Sequence, residues 1–187
     1  MQQIHTATKQ ADRLAQQLLA LARAEPEAQQ QDFMSPLDIV VLVKKIAGDW
    51  IPNALHKNID LGVECSMETC WLRGNAMLLG ELLNNLIDNA LRYTPSGGIV
   101  TIRLEVEQQH CILEVEDNGP GIPIAAREQV FDRFYRILGS NQEGCGLGLA
   151  IVREIAHRHE AEVQLLSGTG DQGTRMRLTF PLIRTPN

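Results

Sequence analysis

Hydrophobic residues at the start of the chain recur alternately three and four positions apart and predict one helix from Met1 to about Ala24. The repeating positions are Ile4, Ala7, Ala11, Leu14, Leu18 and Leu21. These residues form a hydrophobic seam along the helix. The seam is narrower than the hydrophobic face of a helix that packs on a globular core, which favours a bundle or coiled-coil helix whose partners lie outside this chain. An ordinary surface helix is the alternative. The sequence EPEAQQQ at 25–31 breaks the pattern and indicates a linker.

The rest of the chain mixes predicted helices with predicted strands. We expect helices at Leu37 to about His56 with Ser35-Pro36 as start signal, Ala76–Tyr93, around Ala125–Arg136, and Gly148 to about His159. We expect extended segments at Ile59–Cys65, Cys70–Arg73, Ile99–Glu107, Cys111–Glu116, Glu162–Leu166 and Thr174–Phe180. Because the two types do not alternate strictly, we predict an α+β fold: a two-layer α/β sandwich with a mixed sheet, helices on one face and an added N-terminal helix. Residues 1–26 and 27–187 are the two predicted domains.

The composition is that of an ordinary soluble globular protein, with 44% hydrophobic residues and a formal net charge of −6. The acidic balance argues against nucleic acid as a partner, because phosphate binding requires a basic surface. No hydrophobic run approaches the roughly 20 residues that span a bilayer, and no signal-peptide pattern opens the sequence. The four cysteines form no CxxC pair, which favours reduced cytoplasmic thiols over a zinc site or a disulfide framework.

The first candidate site lies on the helix predicted before Thr94. Glu81, Asn85 and Asn89 are each four residues apart and therefore share one face of that helix. Carboxylate and amide oxygens suit Mg²⁺, which takes few protein ligands together with waters and phosphate oxygens. One turn further on, Arg92 and Tyr93 could reach phosphates. The alternative is an exposed polar stripe with capping roles.

The second candidate site is the segment DNGPG at 117–121, directly after a predicted strand. A carboxylate at a strand end, such as Asp117, can accept a hydrogen bond from the exocyclic amine of a purine. Gly119 and Gly121 would allow the backbone to approach a flat ring closely. Taken alone, the segment is better explained as a tight turn.

The third candidate site is the segment GCGLGLA at 144–150, whose alternate glycines precede a predicted helix. Free backbone amides at a helix N-terminus bind phosphate well. The segment is not a Walker A loop, because no GK[ST] follows, and no strand precedes it as in a Rossmann fingerprint. The VAIK, HRD and DFG sequences of eukaryotic protein kinases do not occur.

The order of these three segments resembles the GHKL ATPase superfamily of histidine kinases, gyrase B, Hsp90 and MutL, over roughly Asp32 to Leu182. Within it the chain is most similar to the catalytic domain of bacterial two-component sensor kinases. The matching segments are ELLNNLIDNALRYTP for the N box, VEDNGPGIP for the G1 box, VFDRFYR for the F box, GCGLGLAIV for the G2 box and GTGDQGTRMRLTFP for the closing G3 segment.

The resemblance implies a site for ATP and Mg²⁺. The implied ATP-binding residues are Asn85, Asn89, Arg92, Tyr93, Asp117, Gly119, Gly121, Ile122, Phe131, Phe134, Gly144, Gly146, Leu147, Gly148 and Thr174. Asn85 and Asn89 would bind the metal and Asp117 the adenine. Glu81 would lie beside the γ-phosphate, and Arg133 and Arg136 would stabilise its charge. Phe131 and Phe134 would anchor a mobile lid at about 129–144, with core packing as the plain alternative.

The resemblance also implies partners that the chain itself does not supply. Such kinases carry the phosphoacceptor His, followed by an acidic residue and Leu-Arg-Thr-Pro, on the first helix of a dimerising hairpin. No such sequence occurs here, so we expect a fragment of a longer sensor that retains only the second helix, at residues 1–26. His5 is expected to be an ordinary helix residue, and the other histidines surface or helix-end residues. A response regulator, a full-length homodimer and the cytoplasmic face of the inner membrane are implied for the parent protein.

Two positions depart from the family pattern. Glu160 stands where a Gly usually follows the helix, and Cys145 replaces a small hydroxyl residue. The predicted function is phosphoryl transfer from ATP to a protein histidine. The alternatives are a GHKL ATPase or serine kinase, and a nucleotide-sensing module without catalysis.

Overall fold

The computed structural model of this chain describes residues 34–137 and 145–183. The predicted seam helix, the linker and Gly144 lie outside those residues. The described strands are β1 (Ser35–Asp38), β2 (Asp60–Cys65), β3 (Trp71–Gly74), β4 (Ile99–Glu107), β5 (His110–Asp117), β6 (Glu162–Ser167) and β7 (Thr174–Pro181). The described helices are α1 (Ile39–His56), α2 (Ala76–Tyr93) and α3 (Gly148–Arg158).

The main sheet has five strands in the order β2-β4-β5-β7-β6. Strand β2 is parallel to β4, and every other pair in this sheet is antiparallel. Strands β1 and β3 form a separate antiparallel pair. The prediction of a mixed sheet in an α+β fold is therefore confirmed.

The helices cover one face of this sheet. Alternate residues of β4 and β7 enter the core, among them Ile102 and Leu178, which are fully buried. Helix α2 packs against both α1 and α3 and against β5. The predicted two-layer sandwich is the observed architecture. No helix in the described ranges is long and apolar enough to cross a membrane.

The helix-free face carries a network of ion pairs. Arg103 pairs with Glu64 at 2.6 Å and with Glu116, and Arg175 lies 3.4 Å from the same Glu116 carboxylate. A second group consists of Arg177 with Glu107 at 2.8 Å and Glu114 at 3.3 Å. Glu114 and Glu116 are both buried, so their charges are compensated within the sheet.

Helix α1 begins two residues later than predicted. Asp38 is its N-cap and accepts a hydrogen bond from the Val40 amide at 3.0 Å. The same Asp38 oxygen also accepts from the amide of Cys70 at 3.1 Å. Ser35-Pro36 is therefore not the start of the helix but part of strand β1, and the prediction was wrong because β1 pairs with a strand distant in sequence.

The predicted helix around Ala125–Arg136 was also wrong. That stretch contains only single 3₁₀ turns at Ile124–Ala126 and Gln129–Phe131. Phe134 adopts φ +66° and donates its amide to the carbonyl of Gly146 at 2.9 Å. A left-handed residue with a long-range hydrogen bond cannot continue a right-handed helix.

His159 joins the end of α3 to the start of α2. Its Nε2 accepts a hydrogen bond from the Asn75 amide at 3.0 Å, and its Nδ1 donates to the Ile155 carbonyl at 2.7 Å. The ring is 4% exposed. The prediction of a surface or helix-end histidine is confirmed in its second form, because His159 caps the end of α3, although its side chain is buried. The donor and acceptor roles are those of a neutral imidazole with its proton on Nδ1.

Glu160 follows His159 in the left-handed region, at φ +53°. A residue with a Cβ is strained there and glycine is not, so we expect Glu160→Gly to raise the free energy of unfolding by about 0.5–1 kcal/mol. Denaturant unfolding measures this change. Glu162→Gly, two residues on in strand β6, is the matched control and should lower stability by about 0.5–1 kcal/mol. Equal loss of stability in both variants would contradict the expected relief of strain.

Candidate functional site

Glu81, Asn85 and Asn89 form a polar line along α2, and Asn85 in this line lies against the start of α3. Asn85 is 8% exposed, and its Nδ2 donates to the backbone carbonyl of Glu81 at 2.9 Å and to Glu81 Oε1 at 3.3 Å. Its Oδ1 lies 3.1 Å from where a Cβ on Gly148 would stand. Glu81 and Asn89 are half-buried on the same helix. The alternative of an exposed, capping stripe was therefore wrong for Asn85.

Asp117 ends strand β5 as a buried carboxylate, 7% exposed. The amide of Gly119 donates to its Oδ1 at 2.8 Å, and Thr174 donates both its amide and its hydroxyl. Burial raises the pKa of Asp117, and the hydrogen bonds from Gly119 and Thr174 only partly oppose that rise. A carboxylate can accept about four hydrogen bonds, so Asp117 retains capacity for one more donor.

The DNGPG turn lies against the end of α2. A Cβ on Gly119 would stand 2.9 Å from the Tyr93 carbonyl and 2.8 Å from Asp117 Oδ1. A side chain at this position would therefore displace either the helix end or the carboxylate. Gly121 and Ile122 follow as half-buried residues, and the backbone of Gly121 lies against that of Gly173. The turn thus borders both α2 and the loop that precedes β7.

The glycine loop and the predicted lid stem are joined by backbone contacts. Gly146 adopts φ +71°, and a Cβ there would stand 2.7 Å from the Tyr135 carbonyl. Leu147 is fully buried and Gly148 opens α3, so the loop is held on both sides. The N-terminus of α3, with the positive end of its dipole, therefore lies beside Asn85 of α2.

Phe131 and Phe134, which lie in the predicted lid at about 129–144, differ in their exposure. Phe131 is 8% exposed, belongs to the hydrophobic core and has the Arg153 guanidinium 5.7 Å from its ring centroid. Phe134 is 64% exposed, so the alternative of core packing holds for Phe131 and was wrong for Phe134. An exposed aromatic ring on a strained backbone marks a surface that can change its contacts.

The remaining predicted cations are Arg92, Arg133 and Arg136. Arg92 forms an ion pair with Asp88 at 2.9 Å, one turn earlier on α2, and neighbours the half-buried Tyr93. Arg133 and Arg136 are exposed on the stretch that leads into the lid. Gly144 lies outside the described residues. The described part therefore places Asn85 beside Gly148 and Asp117 beside Gly119 and Thr174.

The sequence did not identify Asn118 and Gly173 as residues that hold the DNGPG turn and Asp117 in place. Asn118 Oδ1 accepts a hydrogen bond from the Ile99 amide at 2.8 Å and fixes the turn to β4. Gly173 packs directly against the Asp117 carbonyl. Its place in the segment GTGDQGT was the one available signal. His159 offered no such signal, because its partner Asn75 is 84 positions away in sequence.

Comparisons with known proteins agree with this geometry. The model of the family described as histidine kinase-, DNA gyrase B-, and HSP90-like ATPase matches residues 74–184. Sensor protein kinase PmrB of Pseudomonas aeruginosa is 35% identical over 180 residues, which cover 96% of this chain and 37% of that protein. Sensor protein QseC of Escherichia coli K12 is 34% identical over 171 residues, 91% of this chain and 36% of that protein. The chain thus spans little more than a third of these curated relatives.

Solved structures show the same fold. The mycobacterial sensor histidine kinase MprB superposes with a TM-score of 0.70 at 27% identity, covering 81% of this chain and 99% of that one. Full-length ShkA in complex with AMPPNP superposes with a TM-score of 0.78 at 26% identity, covering 91% of this chain and 35% of that one. Because the family model matches more than half of the sequence, this chain belongs to the histidine kinase-, DNA gyrase B- and HSP90-like ATPase family, as an ATP-binding domain of the sensor-kinase type.

Proposed function

We propose that this chain binds Mg-ATP between α2, α3 and the end of β5 and donates the γ-phosphoryl group to a histidine on a partner hairpin in two-component signalling. The observation that carries the proposal is the position of Asn85 Oδ1 beside Gly148, which brings the amide and carboxylate side chains of α2 next to a glycine loop. The naming of the relatives as sensor kinases supports the same function.

Asp117 is proposed to recognise adenine. Its carboxylate is oriented by Gly119 and Thr174 and keeps capacity for a donor such as the purine amine. Gly121 and Ile122 would border the ring. A buried hydrogen-bonding group discriminates strongly against ligands that leave it unpaired, so adenine should be preferred over purines without the amine.

Asn85 and Asn89 are proposed to hold Mg²⁺. The Asn85 amide nitrogen donates to Glu81, which leaves its oxygen directed at the start of α3. Amide oxygens fit a hard cation that shares its remaining ligands with phosphates and waters. When bound, the ion offsets phosphate charge. Glu81 keeps Asn85 in this orientation and, one turn earlier on α2, would lie near the γ-phosphate.

The chemistry proposed is an in-line displacement at the γ-phosphorus. A bond forms to an imidazole nitrogen of the hairpin as the bond to the β–γ bridging oxygen breaks, and ADP leaves. Arg133 and Arg136 would offset the charge on the transferred group, and Arg92 and Tyr93 would contact the other phosphates. The amides of Gly146, Leu147 and Gly148 would cradle the phosphates at the start of α3. The lid, with Gly144 at its end and Phe131 and Phe134 in its stem, would move between binding and transfer.

The partners proposed follow from the sensor-kinase type. Residues 1–26 would form the second helix of the dimerising hairpin, and a response regulator would receive the phosphoryl group from the histidine. The parent protein would act as a homodimer at the cytoplasmic face of the inner membrane. The relatives' names support a signalling role.

Calorimetric titration with Mg-ATP tests the two binding assignments. Asp117→Asn should weaken binding about 10–100-fold, because it replaces an acceptor oxygen by a donor in a buried site. Asn89→Ala should weaken Mg-ATP binding and leave magnesium-free ATP binding nearly unchanged. Asn84→Ala is the matched control, since Asn84 lies on the same helix but bonds Trp50 Nε1 at 2.8 Å. If the unaltered chain shows no binding, the proposed function is wrong.

The glycine loop is tested by Gly146→Ala. The new methyl group would stand 2.7 Å from the Tyr135 carbonyl at a positive φ, so the lid stem must move, and Mg-ATP binding should fall at least tenfold. Gly97→Ala is the control, because Gly97 also has a positive φ, at +83°, but its added Cβ meets nothing within 4 Å. The control should lose stability and keep its affinity. Equal affinity in both variants would remove the loop from the site.

A labelling experiment separates nucleotide binding from transfer. The 187-residue chain is expected to bind ATP without labelling itself, because it has no histidine in a phosphoacceptor motif. Incubation with γ-labelled ATP should give label only on an added hairpin that carries the acceptor histidine. Stoichiometric acid-labile label on this chain alone would contradict the expectation. Tight binding with no transfer to any supplied hairpin would favour a nucleotide-sensing module.

A further inference from the structure

We propose that Glu116 is a positioning residue of the nucleotide site, which orients Asp117 by anchoring the loop at 168–173 from the opposite face of the sheet. The inference rests on the proposed adenine-binding role of Asp117. Glu116 would not touch the nucleotide itself, because its side chain lies on the helix-free face among the ion pairs described above.

The geometry of β5 places the two carboxylates on opposite faces. Successive side chains of a strand alternate, so Glu116 and Asp117 point away from each other. In the register with β4, Asp117 lies opposite the core residue Val100, and Glu116 lies opposite Thr101. Apart from its charge, which adds to the rise in the pKa of Asp117, Glu116 can act on the site through a neighbouring segment.

That segment is the loop at 168–173. Glu116 Oε1 accepts two hydrogen bonds from Thr169, one from the amide and one from the hydroxyl, each at 2.6 Å. The Gly168 amide donates to the Gly173 carbonyl at 3.3 Å and closes the loop. Thr169 thus ties the loop to strand β5 through the side chain of Glu116.

The other end of the loop holds Asp117. Gly173 packs directly against the Asp117 carbonyl, and Thr174 donates its amide and hydroxyl to the Asp117 carboxylate. Thr174 is the first residue of β7 and directly follows Gly173, so a shift of the loop would move the donor of two of the described hydrogen bonds to the carboxylate, while the bond from Gly119 would remain. The orientation of Asp117 depends on where the loop is anchored.

Glu116 is well suited to anchoring, because it is itself held firmly. It is 8% exposed and lies between the guanidinium groups of Arg103 and Arg175. Burial alone would raise the pKa of Glu116, but the hydrogen bonds from Thr169 and Arg103 together lower it below its ordinary value. The carboxylate therefore stays ionised at neutral pH, and its acceptor oxygen is fixed.

Glu114 provides a matched control within the same strand. It lies on the same face two residues earlier, is 7% exposed and pairs with Arg177 at 3.3 Å. None of the described hydrogen bonds joins it to the loop at 168–173. Replacing either glutamate by alanine therefore removes a buried charge from the network. Among the described hydrogen bonds, only those of Glu116 reach the loop.

The experiment compares Glu116→Ala with Glu114→Ala in calorimetric titrations with Mg-ATP and with Mg-ITP, which lacks the purine amine. Glu116→Ala should lower the ATP-to-ITP affinity ratio about tenfold, whereas Glu114→Ala should leave that ratio unchanged. Glu116→Gln should restore most of the preference, since its amide oxygen can still accept from Thr169. Thermal unfolding of each variant reports stability separately. Equal ratios for the two alanine variants would overturn the proposal.

Two further variants keep the outcome decisive. If Glu116→Ala does not fold, Thr169→Ala removes the hydroxyl bond at an exposed position and should lower the ratio about threefold; an unchanged ratio there would refute the anchor. Asp117→Asn should abolish the preference for ATP. If Asp117→Asn keeps the preference, the adenine assignment itself fails. If it loses the preference while Glu116→Ala behaves like Glu114→Ala, only the positioning role fails.

Discussion

Helices α2 and α3 pack against each other and are joined at both ends of α3. At one end, Asn85 of α2 lies against Gly148, the first residue of α3. At the other end, the ring of His159 bonds the Asn75 amide that precedes α2. Each helix carries one half of the site, the polar line on α2 and the glycine loop before α3. A relative shift of about 1 Å would part Asn85 from the glycine loop, so the arrangement of the candidate site depends on this packing.

The sheet contributes Asp117 to the candidate site under a different constraint. A carboxylate buried at the end of β5 is costly unless hydrogen bonds compensate it, and Asp117 receives them from Gly119 and Thr174. The neighbouring Glu116 solves the same problem on the opposite face with two arginines and Thr169. Alternation along one strand thus places Asp117 and this charge network on opposite faces of the sheet.

Elements whose boundaries have local signals were predicted well. Helix α2 has its predicted bounds, because Asn75 caps its start and Thr94, followed by Pro95, ends it. Strand β4 also has its predicted bounds, since its alternation and the preceding glycines are visible in the sequence. The start of α1 and the supposed helix near Phe131 were wrong, because there the backbone bonds partners far away in sequence.

The order of the motifs resembles that of the family, and this resemblance pointed to Asn85, Asp117 and the glycine loop. Helix periodicity and turn chemistry act over a few residues, so these segments were visible in the sequence. The placement of those groups relative to one another depended on long-range contacts. His159 and Asn75 are 84 positions apart, and Glu116 and Thr169 are 53 apart. Such pairs leave no periodic trace in the sequence, since the chain brings them together only when the sheet and helices have packed.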